Sequence, residues 1–157
     1  MKNFEIIDTD FSGSKAKIYT VIEEGSDISL LEEFFEENAE YKQELNEILN
    51  RLKIIGNEHG ARSNYFKEHE GSPGDKVAVL KAGHLRLFCL YIDCTVVCFG
   101  SGGYKPPEAR AWQDDDWLKE KGEQMKAIAN KINQAIVDKD ITIEDNGTLT
   151  INYWDYE

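Results

Sequence analysis

Three apolar segments between residues 77 and 99 constrain the fold of this 157-residue chain more than any other feature. Val77–Ala82, Leu85–Ile92 and Thr95–Phe99 are rich in β-branched, aliphatic and aromatic residues, and Gly83 and Asp93-Cys94 supply the turns between them. Segments this apolar are typical of strands that are covered on both faces. The sequence therefore predicts three consecutive strands, the β block, with helices packed against them.

Two helical patterns precede the β block. Ser29 and Glu32 have the spacing of a capping box and predict a helix over 29–38. Apolar residues at spacings of three and four predict a second helix over 40–55, for which Gly56 is the expected C-terminal stop. The two helices are so close in sequence that we expect them to fold back on each other as a helical hairpin.

The remaining elements complete an α+β fold. Residues 17–22 predict a first strand, residues 114–137 predict a third helix, and Asn146-Gly147 predicts a terminal β-hairpin that ends near 154. The predicted order is β-αα-βββ-α-ββ, an antiparallel sheet with a mixed edge and an N-terminal helical hairpin on one face. We assign residues 1–137 to the main α+β domain and 138–157 to a C-terminal hairpin extension packed on or beside it.

The charge of the chain limits its partners. A net charge of −12 argues against bulk binding of DNA or of an anionic membrane surface. Residues 61–113 nevertheless carry seven basic and five acidic side chains, while both flanking parts are acidic, so one local cationic pocket is compatible with the composition. Because no apolar run is long enough to span a bilayer and the N-terminus has no signal-peptide pattern, we expect a cytoplasmic protein.

The β block resembles the RelE/ParE toxin superfamily, which includes ribosome-dependent messenger-RNA endonucleases. In that family a strand of the form Tyr/Leu-Arg-Leu-x-Tyr leads to an Asp-centred turn, a very apolar strand and a Gly-rich exit with a basic residue. Arg86 matches the strand arginine, Asp93 the turn, and Lys105, preceded by Tyr104, the basic residue of the exit. The helices before and after the block also match in order, so the resemblance covers about residues 15–135.

The resemblance implies RNA cleavage without a metal ion or other cofactor. A ribose 2′-hydroxyl would attack the neighbouring phosphate, while cations stabilise the transition state and a polar side chain assists proton transfer. The catalytic candidates are Arg86, Lys105, Tyr104 and His84. The candidates for holding the RNA are Lys81 and Arg62. The implied partners are messenger RNA, the ribosome and a neutralising antitoxin.

Two departures from the family pattern favour an alternative function. Val77 and Val79 stand where some family members carry lysines, and the acidic helices differ from the basic surface of these toxins. The alternative is a non-catalytic protein–protein interaction module on the same fold, with a basic partner. A third reading, a small hydrolase with a phosphate-binding nest, would use Gly100–Lys105.

Neither a metal site nor a disulfide is predicted. His59 and His69 are ten residues apart, which fits no usual spacing of metal ligands. Cys89, Cys94 and Cys98 form no CxxC motif and are expected to pack as buried thiols, with a reactive Cys94 as the alternative.

Overall fold

A mixed five-stranded sheet forms the centre of the protein in the computed structural model, which describes residues 3–67 and 76–152. Its strands are β1 (Phe4–Asp8), β2 (Lys17–Glu23), β3 (Val77–Ala82), β4 (Leu85–Asp93) and β5 (Val96–Tyr104). They lie in the order β1-β2-β5-β4-β3, and only the β2–β5 pair is parallel. The α+β class is therefore confirmed, with a mixed sheet.

Two parts of the fold prediction are wrong. The predicted order lacks β1, and because two strands precede the helical pair, that pair is not N-terminal. The strand was missed because it is a five-residue edge strand in which Phe4 and Ile6 are buried while Glu5 and Asp8 are exposed. So short an alternation is a weak signal in a single sequence.

Helices cover both faces of the sheet, as the apolar β block predicts. One face packs Val79 and Phe88 against α3 (Asp116–Val137), and the other packs Leu80 and Leu87 in one cluster with residues of α2 (Lys42–Ile54). The short helix α1 (Leu30–Glu37) contributes to both clusters. Side chains of successive strand residues therefore enter different cores, as the period of two in a strand requires.

The helix caps follow the sequence closely. The Ser29 hydroxyl accepts a hydrogen bond from the Glu32 amide at 3.1 Å, which confirms that half of the predicted capping box. The Asp115 carboxylate accepts from the Leu118 amide at 3.0 Å and caps α3. These local interactions depend on residues three apart, so they could be read from the sequence.

Gly56 does not end α2. The helix continues into a π-helical turn at Ile55–His59, which ends at Gly60, whose φ is 75°. A Cβ at Gly56 would lie 2.0 Å from the Phe11 carbonyl oxygen, so this glycine is required by a tertiary contact with the β1–β2 connection.

The Gly-rich segment after Phe99 does not break the sheet. β5 continues to Tyr104, and its register with β4 shifts between Leu87 and Cys89, as at a β-bulge. A Cβ at Gly102 would lie 1.8 Å from the Arg86 carbonyl oxygen. The glycines therefore allow β4 and β5 to approach closely, and the phosphate-nest reading of this segment is wrong because the segment is a strand.

The C-terminal hairpin packs on the main core. Its strands are β6 (Ile141–Ile143) and β7 (Leu149–Ile151), and the Leu149 amide donates to the Tyr19 hydroxyl at 3.0 Å. Ile141 and Leu149 belong to the same apolar cluster as α3. The predicted end of this hairpin near 154 lies outside the described residues.

We predict that Gly102→Ala lowers the free energy of unfolding by more than about 2 kcal/mol, because backbone atoms of β4 leave no room for a methyl group. Gly103→Ala is the matched control on the same strand, since its Cβ would meet mainly the half-exposed ring of Trp117 at 3.0 Å. Urea unfolding followed by circular dichroism measures both. Equal losses for the two variants would contradict the assigned β4–β5 register.

Candidate functional site

Three of the sequence-predicted site residues meet where β4 begins and β5 ends. The Lys105 amide donates to the His84 carbonyl oxygen at 2.7 Å, and the His84 ring lies 5.3 Å from the Tyr104 ring between centroids. Leu85 and Tyr104 are partners in the strand register. Strand pairing therefore brings an imidazole, a phenol and a lysine backbone to one end of the sheet.

The hydrogen bond of His84 determines its tautomer. Its Nδ1 lies 3.1 Å from the Lys105 carbonyl oxygen. Because a carbonyl oxygen only accepts, Nδ1 carries the proton in the neutral ring, and Nε2 is left with the lone pair. The exposed imidazole can therefore accept a proton at Nε2.

Aromatic stacking and carboxylates border this site. The Tyr104 ring stacks on Tyr41 with a centroid distance of 4.7 Å and an angle of 10°. Desolvation raises the pKa of Tyr41, and the negative charges of Glu40 and Glu44, together with Tyr104, raise it further. The Glu44 side chain also lies against Gly83, next to His84. Tyr41 and Glu44 were not predicted, because only the packing of α2 on the β3–β4 turn brings them here.

The Lys105 ammonium is held by the loop that follows β5. Its Nζ donates to the Ala109 carbonyl oxygen at 2.8 Å, and the side chain is half-buried. This hydrogen bond leaves two further N–H donors on the ammonium group. Lys105 can therefore keep its position and still bind an anion.

Arg86 is buried rather than directed into an open cleft. It is 3% exposed, and its Nη1 donates to the carbonyl oxygens of Gly83 at 2.8 Å and Leu85 at 3.1 Å. The sequence left two roles open for Arg86, catalysis and pairing with a local carboxylate, whereas these two hydrogen bonds are to backbone carbonyls. The guanidinium therefore braces the turn that carries His84.

Lys81 belongs to a neighbouring cavity of about 410 Å³, which we call the basic groove. Its charged lining residues are Arg51, Lys67, Lys81 and Glu47. Arg51 donates to the Lys81 carbonyl oxygen at 2.6 Å and lies 3.7 Å from the Glu47 carboxylate. Gly83 also lines the groove, so the groove opens beside His84.

Two cations of the basic groove were missed by sequence reasoning. Arg51 is one of several charged residues on α2, and no local pattern distinguishes it. Lys67 is placed by pairing with the edge of the sheet, where its amide donates to the Val79 carbonyl oxygen at 2.9 Å beside the Phe66–Leu80 bridge. Both positions depend on contacts between segments that are distant in sequence.

The remaining candidates are placed elsewhere. Arg62 is exposed at the start of the turn Ser63–Tyr65 and is not among the lining residues of the basic groove. Val77 and Val79 are both 0% exposed. Both valines are therefore residues of the core.

The described residues contain no cluster of three or more His, Cys, Asp and Glu side chains that could hold a metal ion. Of the two histidines considered for a metal site, His59 stacks on Tyr65, and His69 lies outside the described residues. Burial raises the pKa of Cys98 to about 12 and that of Cys89 still further, so both thiols stay protonated. The expectation of a third buried thiol is wrong, because Cys94 is exposed in its turn.

No protein-family model matches the chain, and searches of the curated proteins and of the solved structures found no match. Within the described ranges, no helix has the length and apolar character to cross a membrane. The function is therefore inferred from the geometry of the chain's own residues.

We predict that Arg86→Ala lowers the free energy of unfolding by about 2–4 kcal/mol, because it empties a buried volume and leaves two turn carbonyls without this donor. Lys81→Ala, at the exposed position opposite Arg86 in the β3–β4 register, is the control and should change stability by less than about 0.5 kcal/mol. Thermal and urea unfolding measure both. A stable Arg86→Ala protein would show that the guanidinium does not brace the turn.

Proposed function

We propose that this chain is a toxin-like endoribonuclease that cleaves messenger RNA at the His84–Tyr104–Lys105 end of the sheet, without a metal ion. The observation that supports it best is the meeting of His84 with Tyr104 and Lys105, beside a groove lined by three cations. This arrangement combines a proton acceptor, a proton donor and positive charge, which are the groups that RNA cleavage through the 2′-hydroxyl needs.

In the proposed reaction, Nε2 of His84 takes the proton of a ribose 2′-hydroxyl. The 2′-oxygen then forms a bond to the adjacent phosphorus, and the bond from phosphorus to the 5′-oxygen breaks. The Tyr104 phenol donates a proton to the leaving 5′-oxygen, while the Lys105 ammonium stabilises the charge of the pentacoordinate phosphorus. The products are a 2′,3′-cyclic phosphate and a free 5′-hydroxyl. His84 is left protonated and Tyr104 deprotonated, and exchange of one proton with solvent returns both groups to their starting states.

The basic groove would hold the RNA backbone next to the cleaved bond. The groove is lined by one carboxylate, that of Glu47, and by three cations, Arg51, Lys67 and Lys81. It therefore carries local positive charge in a chain of net charge −12. Only one or two phosphates would be bound, and each contributes a slope of about −0.7 to the dependence of log affinity on log salt for a single strand. Weak intrinsic RNA affinity agrees with cleavage of messenger RNA that the ribosome already holds in place, and a toxin of this kind would be controlled by an antitoxin.

We predict that His84→Ala and Tyr104→Phe each reduce messenger-RNA cleavage about 100-fold or more in a purified translation system, because each removes one proton-transfer group. Asn130→Ala is the control, since Asn130 is an exposed residue of α3 that does not line the basic groove, and it should retain full activity. Primer extension on the message measures the cleavage.

Intact messenger RNA and unimpaired growth on expression of the unmodified chain would contradict the endoribonuclease proposal. The second candidate, a non-catalytic interaction module, would then be favoured. Two observations support that candidate: Arg86 is engaged with backbone carbonyls, and the carboxylates of Glu40, Glu44 and Glu47 border the site. It predicts a stable protein partner in cells in which no RNA is cleaved.

A further inference from the structure

A second groove, of about 400 Å³, lies between the β1–β2 connection and the two helices α1 and α2. Its lining combines apolar and acidic side chains, and we call it the acidic-apolar groove. The apolar contributors include Phe11, Phe35 and Leu49, and the charged ones are Asp8, Asp10 and Glu32. In contrast to the basic groove, every charged lining residue is a carboxylate.

Hydrogen bonds fix the walls of this groove. The Asp8 carboxylate accepts from the Thr9 amide at 2.9 Å and from the Ser12 hydroxyl, which holds the β1–β2 connection. The Thr20 hydroxyl donates to the Phe99 carbonyl oxygen at 2.8 Å and accepts from the Leu31 amide at 3.3 Å, which ties α1 to the sheet. The groove is therefore preformed, as ligand sites commonly are.

The carboxylates on α1 divide between two surroundings. Glu33 and Glu37 face Lys121 of α3, at 2.9 Å and 3.4 Å from its ammonium group. Glu32 is exposed and lines the acidic-apolar groove together with Asp10, which is also exposed. The negative charge at the groove therefore faces outward beside half-buried apolar side chains, where a cation could approach it.

We propose that the acidic-apolar groove binds a basic, amphipathic segment of a partner protein. One or two apolar side chains of that segment would insert between Phe11, Phe35 and Leu49, and its lysines or arginines would lie against Asp10 and Glu32. Charge complementarity selects this occupant, because a nucleic acid would be repelled by the three carboxylates. The site shares no residue with the proposed cleavage site, so it stands independently of RNA cleavage.

The test uses a fluorescein-labelled helical peptide of about 14 residues, with leucines at helical spacing and lysines elsewhere. Its affinity for the full chain is measured by fluorescence anisotropy. The Asp10→Asn/Glu32→Gln variant should bind it about tenfold more weakly, since it removes the two exposed carboxylates that the lysines of the peptide would contact. Glu108→Gln/Glu120→Gln removes the same charge from two exposed positions outside the groove, and it should lose less than about twofold. Replacing the peptide's leucines by glutamine should abolish binding.

Three outcomes would overturn the proposal. Equal losses for the two variants would show attraction by net charge alone. Undiminished binding of the glutamine-substituted peptide would show that the apolar walls take no part. If sedimentation shows that the unmodified chain is a dimer and the Asp10→Asn/Glu32→Gln variant is a monomer, the groove binds a second copy of the chain. Circular dichroism confirms the fold of each variant, and unchanged RNA cleavage by the variant separates this test from that of the proposed function.

Discussion

The close pairing of β4 with the glycine-rich end of β5 is the constraint on which the rest of the structure depends. Because Gly102 has no side chain, the Arg86 carbonyl can approach its Cα without a clash. The pairing sets Leu85 opposite Tyr104 and Lys105 beside His84. With a bulkier residue at Gly102, β5 would have to leave the sheet earlier, and the proposed site would not assemble.

The two grooves show how a strongly acidic chain can hold sites of opposite sign. Three cations converge between α2, the 63–67 segment and β3, whereas three carboxylates converge between the β1–β2 connection and α1. Screening limits the influence of distant charges to about 8–10 Å at physiological salt, so each groove is governed mainly by its own lining. Net charge therefore favours solubility and disfavours bulk RNA binding, but it does not decide the character of a local site.

Arg86 illustrates the limit of reading a site from sequence. An arginine within so apolar a strand needs a polar partner, which is why the sequence singles out Arg86. The reason found in the structure is a pair of backbone carbonyls in the turn that carries His84. Turn carbonyls and a bound phosphate can both accept hydrogen bonds from a guanidinium, and only coordinates distinguish the two cases. The catalytic role assigned to Arg86 by the family resemblance remains a prediction.

The sequence alone determined what depends on neighbours within a few residues. The β3 and β4 strands, the Ser29 and Asp115 caps and the apolar stripes of α2 and α3 follow from local spacing, because periodicity and capping are short-range properties. The tertiary structure decided the edge strand β1, the continuation of β5 through its glycines, and the convergence of Arg51 with Lys67 and Lys81. Each of these depends on contacts between segments far apart in the chain, whose geometry no local pattern encodes.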